Sequence, residues 1–111
     1  MKNEVTFQIE MKNLQDLISE KKFEQSEQLI SRMLKDYNPV DHELLLKRSR
    51  LRQIQIRYEE ASNDASVALN VLPQRLENYQ ALADMLIGSD RYQEALVVLE
   101  ILSNAGEDVT G

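Results

Sequence analysis

An aromatic residue followed three positions later by a small residue recurs three times along this chain at nearly constant spacing. The second aromatic residue comes 35 positions after the first, and the third comes 34 positions after the second. The three pairs are Phe23 and Ser26, Tyr58 and Ala61, and Tyr92 and Ala95. A fixed period in this range marks stacked supersecondary units, none of which buries its apolar face alone. The repeat therefore predicts a short stack of similar units, an architecture that usually offers a surface to other proteins.

Helical patterning fills the segments between these pairs. Turn signals at Asn38-Pro39, Pro73 and Gly88-Ser89-Asp90 separate the periodic segments. Residues 5–9 alternate like a strand, but helical spacing takes over from about residue 9. We expect Asp41 and Asp90 to cap the helices that follow them. Short connections then make neighbouring helices antiparallel hairpins. The predicted helices span about residues 5–19, 23–37, 41–55, 58–71, 74–88 and 91–104.

With these helices, the sequence resembles the tetratricopeptide repeat family. That family's helix–turn–helix unit is 34 residues long and carries an aromatic–x₂–Leu–small–x₂–large pattern on its first helix. The motif positions kept are Leu14, Leu17, Phe23, Ser26 and Ile30 in the first copy, Leu45, Ser49, Tyr58, Ala61, Ala65, Ala68 and Pro73 in the second, and Tyr79, Leu82, Ala83, Leu86, Tyr92, Ala95 and Leu99 in the third. Glu10 and Asn13 depart from the pattern, and Arg48 and Arg52 stand where large apolar residues are usual.

The resemblance implies an all-α fold of three stacked antiparallel hairpins that form a short right-handed α-solenoid. Small residues such as Ala61 and Ala95 would lie at the close crossing of the two helices of a hairpin, with the aromatic ring beside them. The whole chain would be one domain. Its expected divisions are repeats at about residues 7–38, 42–73 and 76–104 and a tail at residues 105–111.

Composition excludes several function classes. The absence of cysteine removes disulfides, thiolate metal sites and cysteine nucleophiles. His42 is the only histidine, so no paired-histidine metal site exists, and we read it as a solvated first-turn residue. Acidic pairs such as Glu59-Glu60 are read as solvated, and no glycine-rich phosphate loop occurs. The sequence therefore predicts a protein that is not an enzyme and uses no cofactor or metal.

Charge and hydropathy also bear on partners and location. A net charge of -6 argues against nucleic-acid binding. No apolar run approaches the length that spans a bilayer, and no apolar region typical of a secretory signal follows Met1. We expect a cytoplasmic protein with no membrane insertion, whose partner is a protein or peptide.

The distribution of charge is more informative than its sum. Five bases and no acid lie between Glu43 and Glu59, whereas residues 76–111 carry one base against seven acids. The middle of the chain is therefore basic and its last third acidic. The bases are Lys47, Arg48, Arg50, Arg52 and Arg57.

In the family that this chain resembles, the first helix of each hairpin lines a concave groove that binds partners. By register, the residues facing such a groove here are Met11, Gln15, Leu46, Lys47, Arg50, Gln53, Gln80 and Asp84. Lys47 and Arg50 would hold an acidic or amphipathic partner. The alternative is that these charges are solvated and merely pair with one another.

Some family members grip the C-terminal carboxylate of chaperones through Lys, Asn and Arg residues on successive first helices. This chain has Met11, Gln15, Lys47, Glu77 and Ala81 at the corresponding positions. We therefore reject that carboxylate clamp.

The last predicted helix is more apolar than the end of an array should be. Ala95, Leu99 and Leu102 suffice to pack it on its hairpin partner. Repeat arrays normally close with a polar capping helix, and residues 103–111 are too short and too rich in turn formers to supply one. The sequence predicts self-association, as a symmetric dimer, through Leu96, Val97, Val98 and Ile101.

Two functions from different classes remain open. The first is a non-catalytic adaptor or small chaperone that binds a peptide or helix of a partner in its concave groove. The second is a structural self-assembly module, either a homodimer or the N-terminal piece of a longer scaffold or enzyme. Mass in solution as a function of concentration separates the two.

Overall fold

The computed structural model describes residues 3–110, and it describes side chains for residues 3–105. This part of the chain contains six α-helices and no β-strand. The strand-like alternation of residues 5–9 lies inside the first helix, which Asn3 caps by accepting a hydrogen bond from the backbone N–H of Thr6. The helices are α1 (Glu4–Ser19), α2 (Phe23–Asp36), α3 (His42–Ile54), α4 (Tyr58–Val71), α5 (Leu76–Gly88) and α6 (Tyr92–Thr110).

Two predictions about helix ends had different outcomes. Asp41 caps α3 as expected, because its carboxylate accepts a hydrogen bond of 3.0 Å from the Leu44 N–H. Asp90 does not act in this way: its carboxylate accepts the hydroxyl of Tyr92 instead. The prediction that the last helix ends near Asn104 is wrong, since α6 continues to Thr110. Serine, asparagine and glycine each cost a helix about 1 kcal/mol or less, which slows but does not stop it as proline would.

The three turns inside the hairpins have the same backbone geometry. Lys21, Ile56 and Asp90 have positive φ angles of 61°, 61° and 63°, and they repeat the spacing of 35 and 34 residues. The residue after each donates its N–H to a carbonyl five positions earlier, as from Arg57 to Arg52 at 2.8 Å. This left-handed residue and long-range bond end a helix in the Schellman manner, usually with glycine. The repeat is thus a repeat of backbone conformation as well as of side chains.

Small buried residues let the helices approach closely. Ala61 and Ala95 are buried, as the repeat predicted, and so is Ser26 at the same position of the first hairpin. Ser49 of α3 donates its hydroxyl to the Ala61 carbonyl of α4 at 2.8 Å, which ties the second hairpin at this crossing.

Apolar packing forms two clusters along the stack. One joins the first hairpin to α3 around Ile30, Met33 and Leu44, and the other joins α4, α5 and α6 around Ala65, Leu82 and Ala95. Each helix packs on the next one in the chain, and α3 also contacts α5. The backbones of α1 and α3 do not approach each other in this way. The molecule, with extents of 43 × 30 × 21 Å, is consequently open between its first two hairpins.

Candidate binding groove

Two adjoining cavities follow the first helices of the hairpins. The first, of about 520 Å³, lies between α1 and α3, where the two backbones diverge. The second, of about 390 Å³, lies over α3 and reaches the start of α5. Ile18, Glu43 and Lys47 line both cavities. Together the cavities form a groove along one side of the stack, which is where the resemblance places a partner.

Four of the eight predicted groove residues line these cavities directly. Met11 and Gln15 lie in the first, Leu46 and Arg50 lie in the second, and Lys47 joins them in both. Apolar side chains of the groove are thus contributed by α1 and α3 together, and further ones come from Ile18 and Ile54. A helix or peptide with an apolar face finds contacts along the whole length of the groove.

The remaining predicted groove residues are engaged with one another through Arg50. The Arg50 guanidinium donates to Asp84 at 3.0 Å and to Gln53 at 3.2 Å. Gln80 donates its amide to Asp84 at 2.9 Å. Asp84, Gln53 and Gln80 therefore hold the Arg50 side chain and do not line either cavity. Arg50 enters the groove as one half of an ion pair, which removes it as a free cation.

Lys47 differs from Arg50 in having no such partner. Its side chain is half-buried between the two cavities, and within residues 3–105 it forms neither a hydrogen bond nor an ion pair. A partly desolvated ammonium group without an anion favours binding of a carboxylate from outside the chain.

His42 also lines the second cavity, so it is not the fully solvated residue that the sequence predicted. It is half-buried, and its Nδ1 atom is buried without a hydrogen-bond partner among the described residues. A buried ring nitrogen of this kind accepts or donates one hydrogen bond when a partner is supplied. It adds a polar contact to the floor of the groove.

The basic middle of the chain is largely neutralised inside the stack. Arg48 donates two hydrogen bonds to Asp64, at 2.9 and 2.8 Å, and a third to Ser31 at 3.0 Å. Arg52 bridges two acids, since it donates to Asp64 at 2.8 Å and to Glu27 at 2.8 Å. We call this set, with Glu60 and Arg57, the inter-hairpin ion network; it joins α2, α3 and α4.

Burial and hydrogen bonding act in opposite directions on Glu27 in this network. Burial alone would raise the pKa of Glu27, but hydrogen bonds from Arg52, Gln55 and Arg57 outweigh it and hold the pKa below its ordinary value of 4.5. The Arg57 guanidinium likewise lowers the pKa of Glu60. The carboxylates of the network are therefore ionised at neutral pH.

Sequence reasoning placed the network's arginines among the solvated or groove-facing charges, and that interpretation was wrong. A signal was present: Arg48, Arg52 and Asp64 lie 34 residues before Leu82, Leu86 and Val98. The later three are buried apolar residues of the third hairpin. Charged residues of both signs at positions that are apolar in the next repeat indicate a buried ion network.

A second, smaller network ties α1 to the end of α2. The Tyr37 hydroxyl donates to Glu10 at 2.5 Å, and Arg32 donates to the same carboxylate at 3.3 Å. Burial and the hydrogen bond to Glu10 raise the pKa of Tyr37 to about 12. Glu10, which departs from the repeat motif, is thus a buried acid with two partners that fix the inclination of α1.

The structure separates the four predicted self-association residues. Leu96, Val97 and Ile101 are 55%, 57% and 44% exposed, as that prediction requires. Val98 is only 9% exposed because it packs in the apolar cluster of the last two hairpins. Its assignment to an exposed face is wrong: the helix turns Val98 and Ala95 together toward α5.

Two further searches cover the described part of the chain. No group of three or more histidine, cysteine, aspartate or glutamate side chains in it is arranged to hold a metal ion. None of its helices is both long enough and apolar enough to cross a membrane.

Comparison with solved structures finds a protein of the same architecture. The chain superposes on a mutant of MamA, a protein of tetratricopeptide-like fold, with a TM-score of 0.76 over 87% of this chain and 70% of that one. The two sequences are 16% identical, so the similarity concerns the fold. Searches against protein-family models and against curated proteins found no match. The predicted all-α fold of stacked helical hairpins is confirmed, and folds of this kind are typically non-catalytic interaction modules.

Proposed function

We propose that this protein is a non-catalytic adaptor that binds a peptide or helix of a partner protein in the groove along α1 and α3. The observation that carries the proposal is the unpaired, half-buried Lys47 between two cavities with apolar walls. Apolar contacts supply affinity for one face of a helix, and a single buried charge supplies orientation.

The lining of the groove defines the chemistry of the segment it takes. Met11 and Ile18 on one wall and Leu46 and Ile54 on the other require apolar side chains. Lys47 requires a carboxylate that reaches the middle of the groove. The partner segment is therefore amphipathic, with an acidic residue bordered on both sides by apolar ones.

Site-specific crosslinking tests this assignment. A photoreactive residue at Gln15, on the groove, is compared with one at Lys35, which is exposed on α2 away from both cavities. The proposal predicts capture of one protein segment from Gln15 and not from Lys35, in cells that express the protein naturally. The same segment captured with equal yield from both positions would contradict it.

The captured segment then serves as the ligand for calorimetry. Lys47→Glu should weaken its binding by about 1–3 kcal/mol, because the substitution places a second carboxylate against that of the ligand. Arg75→Glu is the matched control, since Arg75 is exposed and pairs only with Glu77 at 4.0 Å. Wild-type affinity in the Lys47→Glu protein would refute the role of this lysine.

Self-assembly is the second candidate function. The observation that favours it is the apolar face of α6 formed by Leu96, Val97 and Ile101. A mass that doubles with concentration in light scattering would support a homodimer, whereas a constant monomer mass would leave the adaptor as the better account.

A further inference from the structure

The outer face of α6 is the one helix face of the stack that its own repeat pattern leaves uncovered. In the first two hairpins, the second helix is covered by the next one along the chain: α3 packs on α2, and α5 packs on α4. Within residues 3–110, α6 is the last element, and no helix follows it to take this position.

The repeat shows how an occupant would sit there. Tyr58 of α4 lies so close to Gly88 of α5 that a side-chain carbon at Gly88 would come within 2.3 Å of the ring. Tyr92 has the position of Tyr58 one repeat later, and it is 60% exposed. Tyr92 thus presents a ring that fits against a residue without a side chain on a helix antiparallel to α6.

The size of the exposed face suits a single helix. Tyr92, Leu96, Val97 and Ile101 are each between 44% and 60% exposed. Together they expose on the order of 400 Å² of mainly apolar surface, about half of the roughly 800 Å² per partner that a standard stable interface buries. A helix laid along α6 covers this area as α5 covers α4.

Charge distinguishes between the helices that are able to fill the position. Residues 76–111 carry seven acids and one base, Arg91, and Arg91 is already paired with Glu94 at 2.6 Å and Glu59 at 3.5 Å. The acids Glu94 and Glu100 lie on α6 beside the apolar face, and both are exposed. A second copy of α6 would set these acids against their own equivalents, which disfavours a symmetric dimer.

We propose that the outer face of α6 binds a basic amphipathic helix of a partner protein, as a seventh helix of the stack. Its apolar side covers Leu96, Val97 and Ile101, its lysine or arginine residues meet Glu94 and Glu100, and a glycine or alanine lies over Tyr92. This surface is separate from the groove of α1 and α3, so an adaptor built in this way joins two partners.

A designed peptide tests the proposal without knowledge of the natural partner. The probe is a 20-residue helix with one leucine face, lysines on the other face and one glycine placed to meet Tyr92. Two control peptides have glutamate in place of lysine, and the probe's composition in scrambled order. Binding is measured by fluorescence anisotropy with the probe labelled, against the wild-type protein and three variants.

The variants separate this face from every other explanation. Leu96→Gln with Val97→Gln alters the proposed face and keeps the net charge. Val5→Gln with Ile9→Gln alters two equally exposed apolar residues of α1. Lys47→Glu alters the groove.

The proposal predicts that the probe binds wild type and that only the α6 variant weakens this binding, by about tenfold or more. Circular dichroism should show each variant folded, because the substituted side chains are exposed. Equal binding of the scrambled or the acidic peptide would overturn the proposal, as would weakening by Val5→Gln with Ile9→Gln or by Lys47→Glu alone. A dimer of the wild-type protein that Leu96→Gln with Val97→Gln dissolves would also overturn it, by assigning the face to a second copy. Because the groove proposal depends on Lys47 and this one on Leu96 and Val97, failure of one leaves the other standing.

Discussion

Replacing Asp64 with valine should destabilise the protein severely, because two arginines depend on this one carboxylate. Asp64 accepts two hydrogen bonds from Arg48 and one from Arg52, and its side chain is 2% exposed. The two arginine side chains are only 19% and 15% exposed. Removing one partner of a buried ion pair typically costs 3–5 kcal/mol, because a charge remains buried without compensation. Arg52 keeps Glu27, so we expect the lower end, about 3 kcal/mol.

The third hairpin supplies the control for this prediction. It packs Leu82 and Val98 at the positions that Arg48 and Asp64 occupy one repeat earlier, and both are buried. The double variant Arg48→Leu with Asp64→Val copies that arrangement into the second hairpin. Because an apolar pair of suitable volume replaces a buried ion pair at little cost, the double variant should lose about 1 kcal/mol or less. It should therefore be more stable than the single variant Asp64→Val.

Urea unfolding followed by circular dichroism measures these differences. For a domain of this length, 3 kcal/mol corresponds to a decrease in melting temperature of about 12 °C, which a thermal scan resolves easily. If Asp64→Val lost less than about 1 kcal/mol, or if the double variant were less stable than both single variants, the reasoning would be refuted. Either result would mean that Asp64 is not the buried centre of the network.

Three further changes test local features of the fold. Ile56→Gly should stabilise the protein by about 0.5–1 kcal/mol in urea unfolding, because Ile56 is 74% exposed and has a φ of 61°, a left-handed conformation that costs a branched residue more than glycine's extra chain entropy; the same substitution at Asp90 should gain less, and equal gains at both positions would refute this account. Ala61→Leu should destabilise the protein by about 1–3 kcal/mol, since Ala61 is fully buried at a helix crossing, and an unchanged urea midpoint would show that the crossing has room for the larger side chain. The lowered pKa of Glu27 means that its folded form binds protons more weakly than the unfolded chain, so its contribution to stability is present above about pH 4.5 and is lost as pH falls through the folded pKa. Urea midpoints measured from pH 7 to pH 3 should fall less steeply in Glu27→Gln than in wild type, and parallel curves would contradict the assignment.

The fold was predictable from the sequence because its determinants repeat. Aromatic and small residues at a spacing of 35 and 34 fix the helix crossings locally, and each copy supports the interpretation of the others. The hairpin turns were harder to predict from residue type. Lys21 and Ile56 take a conformation that usually indicates glycine, and the surrounding helices impose it on them.

The candidate site was only partly predictable, for a different physical reason. Helical register places Lys47 and Arg50 on the same side of α3, but it says nothing of which charges neutralise one another across helices. Arg50 meets Asp84 of the next hairpin at 3.0 Å, whereas Lys47 meets no acid within residues 3–105. That difference depends on inter-helix distances, which a single sequence does not give. Val98 was assigned to the wrong face for a related reason, since the packing direction of a terminal helix depends on its neighbour.

The groove is the central claim, and its most direct test is the surface that changes when the crosslinked partner segment binds. Backbone NMR spectra of the labelled protein are compared with and without that segment. We predict that the largest chemical-shift changes occur at Met11, Leu46 and Lys47, on the two walls of the groove, while Ser31 and Lys35 on α2 stay unchanged. Changes confined to α2, α4 or the outer face of α6, with Met11 and Lys47 unaffected, would contradict the account.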